Sequence, residues 1–299
     1  MKVLDQLPAG SRVLLVRLRS LGDCVLTTPA LELLGRFRPD LRIGVVVEDR
    51  FRAIYDGNPF LEARLAPRIP EVLRFRPRLT LNLHGGTRSL LLTLASGARW
   101  RAGFAHYRQQ WAYNLPIPRA QAILGVERKV HTAEHVAAAM FYLGVPRTEI
   151  PRAALYAGDR TSHGPYAVIH PLASQPDKTW PSARFVELAR WLRSGGLQPV
   201  FIGAAGDDLS VFGEFQRVQG APIGEVKALL RGAALFVGND SGPAHMAAAF
   251  GVPAVVLFGS SDPLIWGPWK TPSEVLVGPI TGITADQVRT AVEKLRVRV

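Results

Sequence analysis

One segment of the chain joins small, polar and basic residues in an order that suits anion binding. It follows a short apolar stretch and reads Gly238-Asn239-Asp240-Ser241-Gly242-Pro243-Ala244-His245. Pro243 fits the first turn of a helix, so the free N–H groups of Ser241 and Gly242 and the helix dipole would face a ligand. His245 lies one turn further and adds a charge-assisted donor. The alternative is a plain helix with Asp240 or Ser241 as its N-cap.

A second segment of the same kind lies between a predicted strand and a predicted helix. It reads His170-Pro171-Leu172-Ala173-Ser174-Gln175-Pro176-Asp177-Lys178-Thr179-Trp180. The hydroxyl of Ser174 and the point charge of Lys178 are groups that hold phosphates. The alternative is a solvated loop in front of a helix capped by Ser182.

The third segment places a carboxylate at the start of a helix. It reads Arg17-Leu18-Arg19-Ser20-Leu21-Gly22-Asp23. Asp23 is either an N-cap or a general base that takes a proton from a sugar hydroxyl. Arg17 and Arg19 would then lie beside an anionic acceptor, or else at the surface.

Two further patterns are weaker. The turn Asn82-Leu83-His84-Gly85-Gly86-Thr87-Arg88 places Arg88 where it could meet a phosphate or carboxylate of an acceptor. His131 and His135 have the spacing of a zinc-binding helix pair, but Glu134 is misplaced for that chemistry. No metal site is therefore expected.

Apolar runs alternate with helical patterns along the chain, which predicts parallel sheets covered by helices. The predicted strands are 12–18, 42–47, 80–83, 100–104, 166–170, 198–202, 235–237 and 254–258. The predicted helices are 23–37, 87–95, 131–143, 182–194, 224–231, 243–250 and 284–295. The pattern restarts after a turn-rich segment at 159–164, so two Rossmann-like doubly wound domains facing a cleft are expected.

Composition limits the partners. The chain has 299 residues, a net charge of +12 and a single cysteine, Cys24. The positive charge is almost all arginine, which suits phosphate and carboxylate ligands but also follows from a GC-rich genome. No aromatic-basic signature of nucleic-acid binding is present, so no nucleic-acid partner is expected. The sequence shows neither a secretory signal nor an apolar run long enough to span a membrane, which predicts a cytoplasmic protein.

Together these segments resemble glycosyltransferase family 9, the ADP-heptose:lipopolysaccharide heptosyltransferases. The resemblance rests on four segments in the same order, which begin at Arg17, Asp177, Gly238 and Phe258. The first continues with Thr28-Pro29-Ala30-Leu31, and the last reads Phe258-Gly259-Ser260-Ser261-Asp262-Pro263.

The resemblance implies a GT-B fold and an inverting, metal-independent transfer that needs no cofactor. Asp23 matches the family's proposed general base, and Ser174 and Lys178 match the positions that hold the donor phosphates. The remaining donor contacts would be Asp240 near the sugar and Ser241, Gly242 and His245 at the diphosphate.

The resemblance also implies an acceptor side and a domain plan. Residues 1–158 would form the acceptor domain and residues 165–282 the donor domain, with a helix at 283–299 crossing back to the first domain. The implied partners are a nucleotide-diphosphate sugar, with ADP-heptose favoured, and an anionic glycolipid of the lipopolysaccharide core. A basic surface could also contact the inner face of the cytoplasmic membrane.

Three alternatives remain. The donor could be another nucleotide-sugar, used by a GT-B transferase for a different cell-surface glycan. The chain could be a non-catalytic nucleotide-sugar-binding protein, although Asp23, Lys178 and Asp240 are intact. An NAD-dependent oxidoreductase is disfavoured, because no complete glycine-rich fingerprint follows the first strand.

Overall fold

The chain divides into two units, each built around its own parallel sheet. The computed structural model describes residues 2–158 and 164–298. Unit 1 is Met1–Ala154 and unit 2 is Leu155–Val299. The predicted boundary falls slightly later in the chain, and residues 159–163 of the predicted linker lie outside the described residues.

Unit 1 contains a six-stranded sheet in its described part. Its strands are β1 (Arg12–Val16), β2 (Arg42–Val46), β3 (Ala63–Leu65), β4 (Leu79–Asn82), β5 (Trp100–Phe104) and β6 (Leu115–Ile117). They are parallel and lie in the order β3-β2-β1-β4-β5-β6. The order in which strands are added therefore reverses between β1 and β4, which is the topological switch point of the sheet. Doubly wound sheets bind ligands at this point.

The helices of unit 1 connect these strands and cover the sheet. They are α1 (Leu21–Phe37), α2 (Ile69–Phe75), α3 (Thr87–Ala95), α4 (Ala120–Leu124) and α5 (Thr132–Leu143). Helix α1 begins after Ser20, which forms a capping box with Asp23. It packs on α5, which ends at Gly144 with a positive φ of 140°.

Unit 2 repeats this plan. Its strands are β7 (Tyr166–His170), β8 (Gln198–Gly203), β9 (Gln216–Gln219), β10 (Leu235–Asn239), β11 (Ala254–Phe258) and β12 (Ser273–Val277). They are parallel in the order β12-β11-β10-β7-β8-β9, with the switch between β10 and β7. The central strands are buried on both faces, which explains their continuous apolar runs.

The helices of unit 2 include the one predicted to leave it. They are α6 (Ser182–Ser194), α7 (Ile223–Arg231), α8 (Gly242–Phe250), α9 (Pro263–Trp266) and α10 (Ala285–Arg298). The resemblance implies that residues 283–299 form a helix that crosses back to the first domain. The buried side chains of Val288, Val292 and Leu295 form one apolar stripe of α10, and this stripe packs into the core of unit 2. Helix α10 therefore belongs to unit 2 by its packing.

Within the described ranges 2–158 and 164–298, no helix combines the length and the hydrophobicity that crossing a bilayer requires.

Candidate functional site

The carboxylate of Asp23 lies just beyond the carboxyl end of β1, in the first turn of α1. One oxygen, Oδ2, accepts hydrogen bonds from the backbone N–H of Ser20 at 3.3 Å and from its hydroxyl at 3.1 Å. The other, Oδ1, lies 3.4 Å from Nη1 of Arg17. The side chain of Asp23 is 22% exposed, whereas that of Arg17 is 7% exposed. The cap thus fixes the carboxylate through one oxygen and leaves it partly exposed to solvent.

The other two arginines predicted on the acceptor side do not join this ion pair. Arg19 is exposed in the turn before α1. Arg88 is exposed in the first turn of α3, where it donates to the carbonyl of Pro67 at 3.3 Å and lies 3.9 Å from Glu48. Their role in binding an acceptor stays a prediction.

Imidazole and phenol groups to which the sequence assigns no role in acceptor binding lie near Arg17. Burial, together with the charge of Arg17, lowers the pKa of His84. Burial, together with the charges of His106 and Arg17, lowers the pKa of His135 to about 4. Burial also raises the pKa of Tyr107. These side chains are therefore neutral near pH 7 and offer hydrogen bonds without adding charge.

The predicted zinc-like spacing on α5 serves two unrelated contacts. His131 is the N-cap, and its Nδ1 accepts from the N–H of Ala133 at 3.1 Å. His135 stacks on Phe104 with ring centroids 4.1 Å apart. Among the residues that the structure describes, no group of three or more His, Cys, Asp or Glu side chains is arranged to hold a metal ion.

In unit 2, the predicted anion-binding segment forms the turn between β10 and α8. Ser241 is the N-cap residue, Gly242 is the first helical residue, and Pro243 follows in the first turn. His245 is only 4% exposed. Ser241 and Gly242 therefore stand at a helix start, where backbone N–H groups lack intrahelical partners, and the buried His245 lies one turn further; their role in binding an anion stays a prediction.

Lys178 lies at the same edge of the unit 2 sheet. It ends a short helical turn, Pro176–Lys178, in the loop after β7. Its Nζ lies 3.8 Å from Oδ2 of Asp240, which also accepts a hydrogen bond of 2.5 Å from Ser261. Three residues predicted to bind the donor substrate thus lie together, namely Lys178, Asp240 and Ser241. Ser174, which is also predicted to bind it, is exposed in the loop.

Asp240 makes contacts within unit 2 that the sequence does not predict. Its predicted contact with the hydroxyls of a sugar stays a prediction. In the structure this carboxylate also joins the loops that follow β7 and β11, through Lys178 and Ser261 respectively. Ser261 carried no role in the sequence analysis, and the signal for it is its position three residues after a strand at the same sheet edge.

His170 is a second residue of this edge without a predicted role. It ends β7, and its Nδ1 lies 3.0 Å from the hydroxyl of Ser241. Burial lowers the pKa of His170 to about 4, so the ring is neutral near pH 7. A polar residue that closes an otherwise apolar strand was the available signal.

Asn239, the last residue of β10, holds the loop between β7 and α6. Its side chain is fully buried, accepts from the N–H of Trp180 at 3.1 Å and donates to the carbonyl of Pro171 at 2.9 Å. Trp180 is itself fully buried and donates through its indole N–H to the carbonyl of Ile283 at 2.8 Å. Asn239 therefore joins both ends of the Lys178 loop to β10.

We expect Asn239→Ala to lower the free energy of unfolding by about 2–5 kcal/mol, because it leaves two buried backbone groups without partners. Asn114→Ala is the matched control, since Asn114 also joins two backbone groups, of Arg99 and Arg101, but on the exposed surface. Urea unfolding of both variants measures the difference. Equal losses for the two variants would show that burial of the Asn239 contacts does not matter.

A family model described as glycosyltransferase family 9 (heptosyltransferase) matches residues 78–296, which is most of the chain. The chain belongs to glycosyltransferase family 9. It is thus a glycosyltransferase, as the resemblance implied.

Relatives of this family 9 chain are similar over most of their length. Lipopolysaccharide heptosyltransferase 3 of Escherichia coli is 28% identical over 292 residues, which cover 83% of this chain and 84% of the relative. Lipopolysaccharide heptosyltransferase 1 of Pseudomonas aeruginosa is 29% identical over 296 residues, which cover 84% of this chain and 79% of the relative.

Solved structures of family 9 proteins have the same fold. A glycosyl transferase family 9 structure from Veillonella parvula superimposes with a TM-score of 0.87 at 22% identity and covers 100% of this chain and 99% of that one. The E. coli heptosyltransferase WaaC with ADP superimposes with a TM-score of 0.79 at 22% identity, covering 95% and 99%. These similarities confirm the predicted GT-B class with two Rossmann-like domains.

Proposed function

We propose that this family 9 chain transfers heptose from ADP-heptose to a lipopolysaccharide core acceptor, with inversion at the anomeric carbon and without a metal ion. Two similar proteins are named lipopolysaccharide heptosyltransferases, and a similar structure holds ADP. Asp23 acts as the general base and the β10–α8 turn binds the donor diphosphate.

One observation carries the donor side of the proposal. The ammonium of Lys178 lies 3.8 Å from Asp240, the residue that immediately precedes the N-cap of α8. A cation beside a helix N-terminus is an arrangement that stabilises a diphosphate. Asp240 keeps that charge in place before the donor binds, and its carboxylate can then accept hydrogen bonds from the hydroxyls of the sugar.

The chemical step follows from these roles. An acceptor hydroxyl attacks the anomeric carbon of the donor, a new C–O bond forms on the opposite face, and the bond to the diphosphate oxygen breaks. Asp23 takes the proton of the attacking hydroxyl as that hydroxyl becomes acidic. The negative charge that develops on the leaving ADP is balanced by Lys178, His245 and the dipole of α8.

Lys178→Ala is expected to weaken ADP binding by about 10–100-fold, because one charge-assisted contact to the diphosphate is lost. Titration calorimetry with ADP measures this change. Lys294→Ala is the control, since Lys294 is an exposed lysine of the same unit on α10. An unchanged affinity in Lys178→Ala would remove this residue from the phosphate site.

A panel of nucleotide-sugars tests the proposed donor. ADP-heptose is expected to raise the melting temperature more than UDP- or GDP-sugars, and to support transfer to a core acceptor that persists in EDTA. A larger shift with a UDP- or GDP-sugar would overturn the donor assignment. Binding without product would indicate a non-catalytic nucleotide-sugar protein, and loss of transfer in EDTA would overturn the metal-free mechanism.

A further inference from the structure

His170 ends strand β7 beside the turn from which α8 begins. Strand β7 pairs with β10, and His170 lies opposite Gly238 in that pairing. The two strands are parallel, so they end at the same edge of the unit 2 sheet, and the chain after β10 continues through Ser241 into α8. The side chain of His170 can therefore reach the turn that the proposed function assigns to the donor diphosphate.

The contact between this ring and the turn is a hydrogen bond of ordinary length. Nδ1 of His170 lies 3.0 Å from the hydroxyl oxygen of Ser241. Ser241 is the N-cap of α8, a position whose hydroxyl usually accepts from a backbone N–H of the first helical turn. Within the described ranges of the chain, this hydroxyl makes no such capping bond. The hydroxyl is thus held by the imidazole and not by the helix that it precedes.

The ring is neutral near pH 7, because burial lowers the pKa of His170 to about 4 and the charge of Asp207 offsets this only in part. A neutral imidazole has one nitrogen that donates and one that accepts. Two arrangements therefore fit the contact with Ser241. In the first, Nδ1 carries the hydrogen and donates to the hydroxyl oxygen. In the second, Nδ1 is bare and accepts the hydroxyl hydrogen.

The two arrangements leave the hydroxyl of Ser241 in opposite states toward a ligand. If Nδ1 accepts, the hydroxyl hydrogen points at the ring and the oxygen presents only lone pairs to the ligand. If Nδ1–H donates, one lone pair of the oxygen is used and the hydroxyl hydrogen can turn to the ligand. Only this arrangement adds a donor to the backbone N–H groups that a helix N-terminus offers to an anion.

We propose that His170 is a positioning residue of the donor site. Its Nδ1–H donates to the oxygen of Ser241 and so directs the hydroxyl hydrogen of Ser241 toward the donor diphosphate. The ring acts through Ser241 and makes no contact with the donor itself. The inference rests on the proposed function, which places the diphosphate at the start of α8.

Packing alone does not explain a histidine at this place. Strand β11 lies on the other side of β10 and ends in Phe258, which is fully buried. The four residues of β7 that precede His170 are also buried. The ring of His170 differs from these side chains by its bond to Ser241, which an apolar side chain could not form.

Side-chain amides can replace one ring nitrogen at a time, and ADP is the probe. Asparagine places its amide nitrogen near the position of Nδ1, whereas glutamine places its amide nitrogen near that of Nε2. We expect His170→Asn to bind ADP within about threefold of the wild-type affinity and His170→Gln to bind it about tenfold more weakly, because only the first keeps a donor for Ser241. Titration calorimetry measures both. Equal affinities of the two variants would overturn the proposal.

A double-mutant cycle separates positioning from a general loss of structure. Ser241→Ala is expected to weaken ADP binding about tenfold, and Ser241→Ala/His170→Gln no further, since His170 acts only through that hydroxyl. Additive losses would give His170 a structural role and refute the proposal.

Tyr166→Phe is the matched control for this cycle. Tyr166 lies at the other end of β7, and its hydroxyl donates a buried hydrogen bond of 2.7 Å to the carbonyl of Leu229. The substitution is expected to lower the melting temperature and to keep the wild-type ADP affinity, because it loosens β7 without removing a group that contacts Ser241.

Nitrogen NMR of histidine-labelled protein reports the ring directly. The two neutral tautomers differ in the chemical shifts of their ring nitrogens, and the signal of His170 is identified among the seven histidines by its absence from His170→Asn. We expect a protonated Nδ1 and a bare Nε2, both with and without ADP. A bare Nδ1 in the ADP complex would overturn the proposal.

The same measurements distinguish a failure of this inference from a failure of the proposed function. If the wild-type chain does not bind ADP, the proposed function fails and the role of His170 fails with it. If the wild-type chain binds ADP and His170→Gln binds it equally well, only the role of His170 fails. Weak binding by His170→Gln, restored in His170→Asn, supports both.

Discussion

Asp23→Asn is expected to lower the turnover number of transfer by a factor of about 10²–10⁴ while ADP affinity stays within about twofold of the wild-type value. The amide cannot take the proton of the attacking hydroxyl. Its oxygen can still accept the hydrogen bonds from Ser20 that the carboxylate accepts at 3.3 and 3.1 Å. The proposed donor contacts all belong to unit 2, so the substitution leaves them in place.

The control for this variant is Ser20→Ala. It removes the hydroxyl that donates to Asp23 but keeps the carboxylate and its backbone contact. Loss of the cap costs about 1 kcal/mol of stability, so the melting temperature falls slightly. Turnover in Ser20→Ala is expected to remain within about tenfold of wild type.

Steady-state kinetics with a saturating donor, together with ADP calorimetry, separates the two roles of Asp23. If Asp23→Asn retains turnover comparable to Ser20→Ala, the carboxylate is a helix cap and another group is the base. If both variants are inactive and neither melts cooperatively, the capping box is required for folding, and the isosteric variant is then tested on chains stabilised by ADP.

In the structure Asp23 takes part in the helix cap and can still serve as the proposed base, although from the sequence these two roles were alternatives. The N-cap is Ser20, and Asp23 is its partner three residues later. The cap uses Oδ2, whereas Oδ1 faces Arg17. A sequence pattern predicts that a carboxylate starts the helix, but it cannot predict how the two oxygens are divided.

The central strands of both sheets are predictable from sequence because they are buried on both faces. Strands β7 and β11 have the predicted bounds, 166–170 and 254–258, and β1, β4 and β10 differ by a few residues. Apart from β4, which contains Thr80 and Asn82, each is a mainly apolar run between polar turns, which is typical of a central parallel strand.

The edge strands could not be predicted in this way. None of β3, β6, β9 and β12 is among the strands predicted from the sequence, and these four are the outermost strands of the two sheets. Their residues are mostly partly or fully exposed, and β3 and β6 have only three residues each. A short edge strand that pairs with a neighbour along only one edge has no continuous apolar run in its sequence. Only its pairing with that neighbouring strand defines it.

The segments of the candidate site could be located from sequence where a strand runs directly into a helix. The β10–α8 turn and Asp23 follow from such patterns. Ser261 and His84 were not predicted as site residues, because their neighbours depend on which loops lie side by side at a sheet edge. Local sequence does not determine the order of the strands. The network around Lys178 therefore emerges only in three dimensions.

Gly259 offers a steric test of that network. A Cβ at this position would overlap the carbonyl oxygen of Asp177 and lie 3.1 Å from its carbonyl carbon. Both atoms belong to backbone, so the loop that carries Lys178 must move. We expect Gly259→Ala to cost about 1–3 kcal/mol of stability and to weaken ADP binding at least about tenfold.

Gly278→Ala is the matched control, because Gly278 follows the neighbouring strand β12 and a Cβ there would meet no atom within 4 Å. It is expected to retain the wild-type ADP affinity and melting temperature. Calorimetry and thermal melting of the two variants measure the contrast. Equal behaviour of both variants would mean that the Asp177 backbone yields to the added methyl group without moving the phosphate contact.

The double variant Gly259→Ala/Lys178→Ala then shows how the loss of ADP affinity arises. If Gly259→Ala acts by displacing Lys178, the double variant binds ADP about as weakly as Lys178→Ala alone, since the same contact cannot be lost twice. Additive losses would instead show that the added methyl group disturbs other donor contacts, such as the start of α8. If the losses are not additive, the role of Gly259 is steric: the absence of a side chain after β11 lets the loop after β7 approach. That approach holds Lys178 beside a helix N-terminus, which already favours an anion.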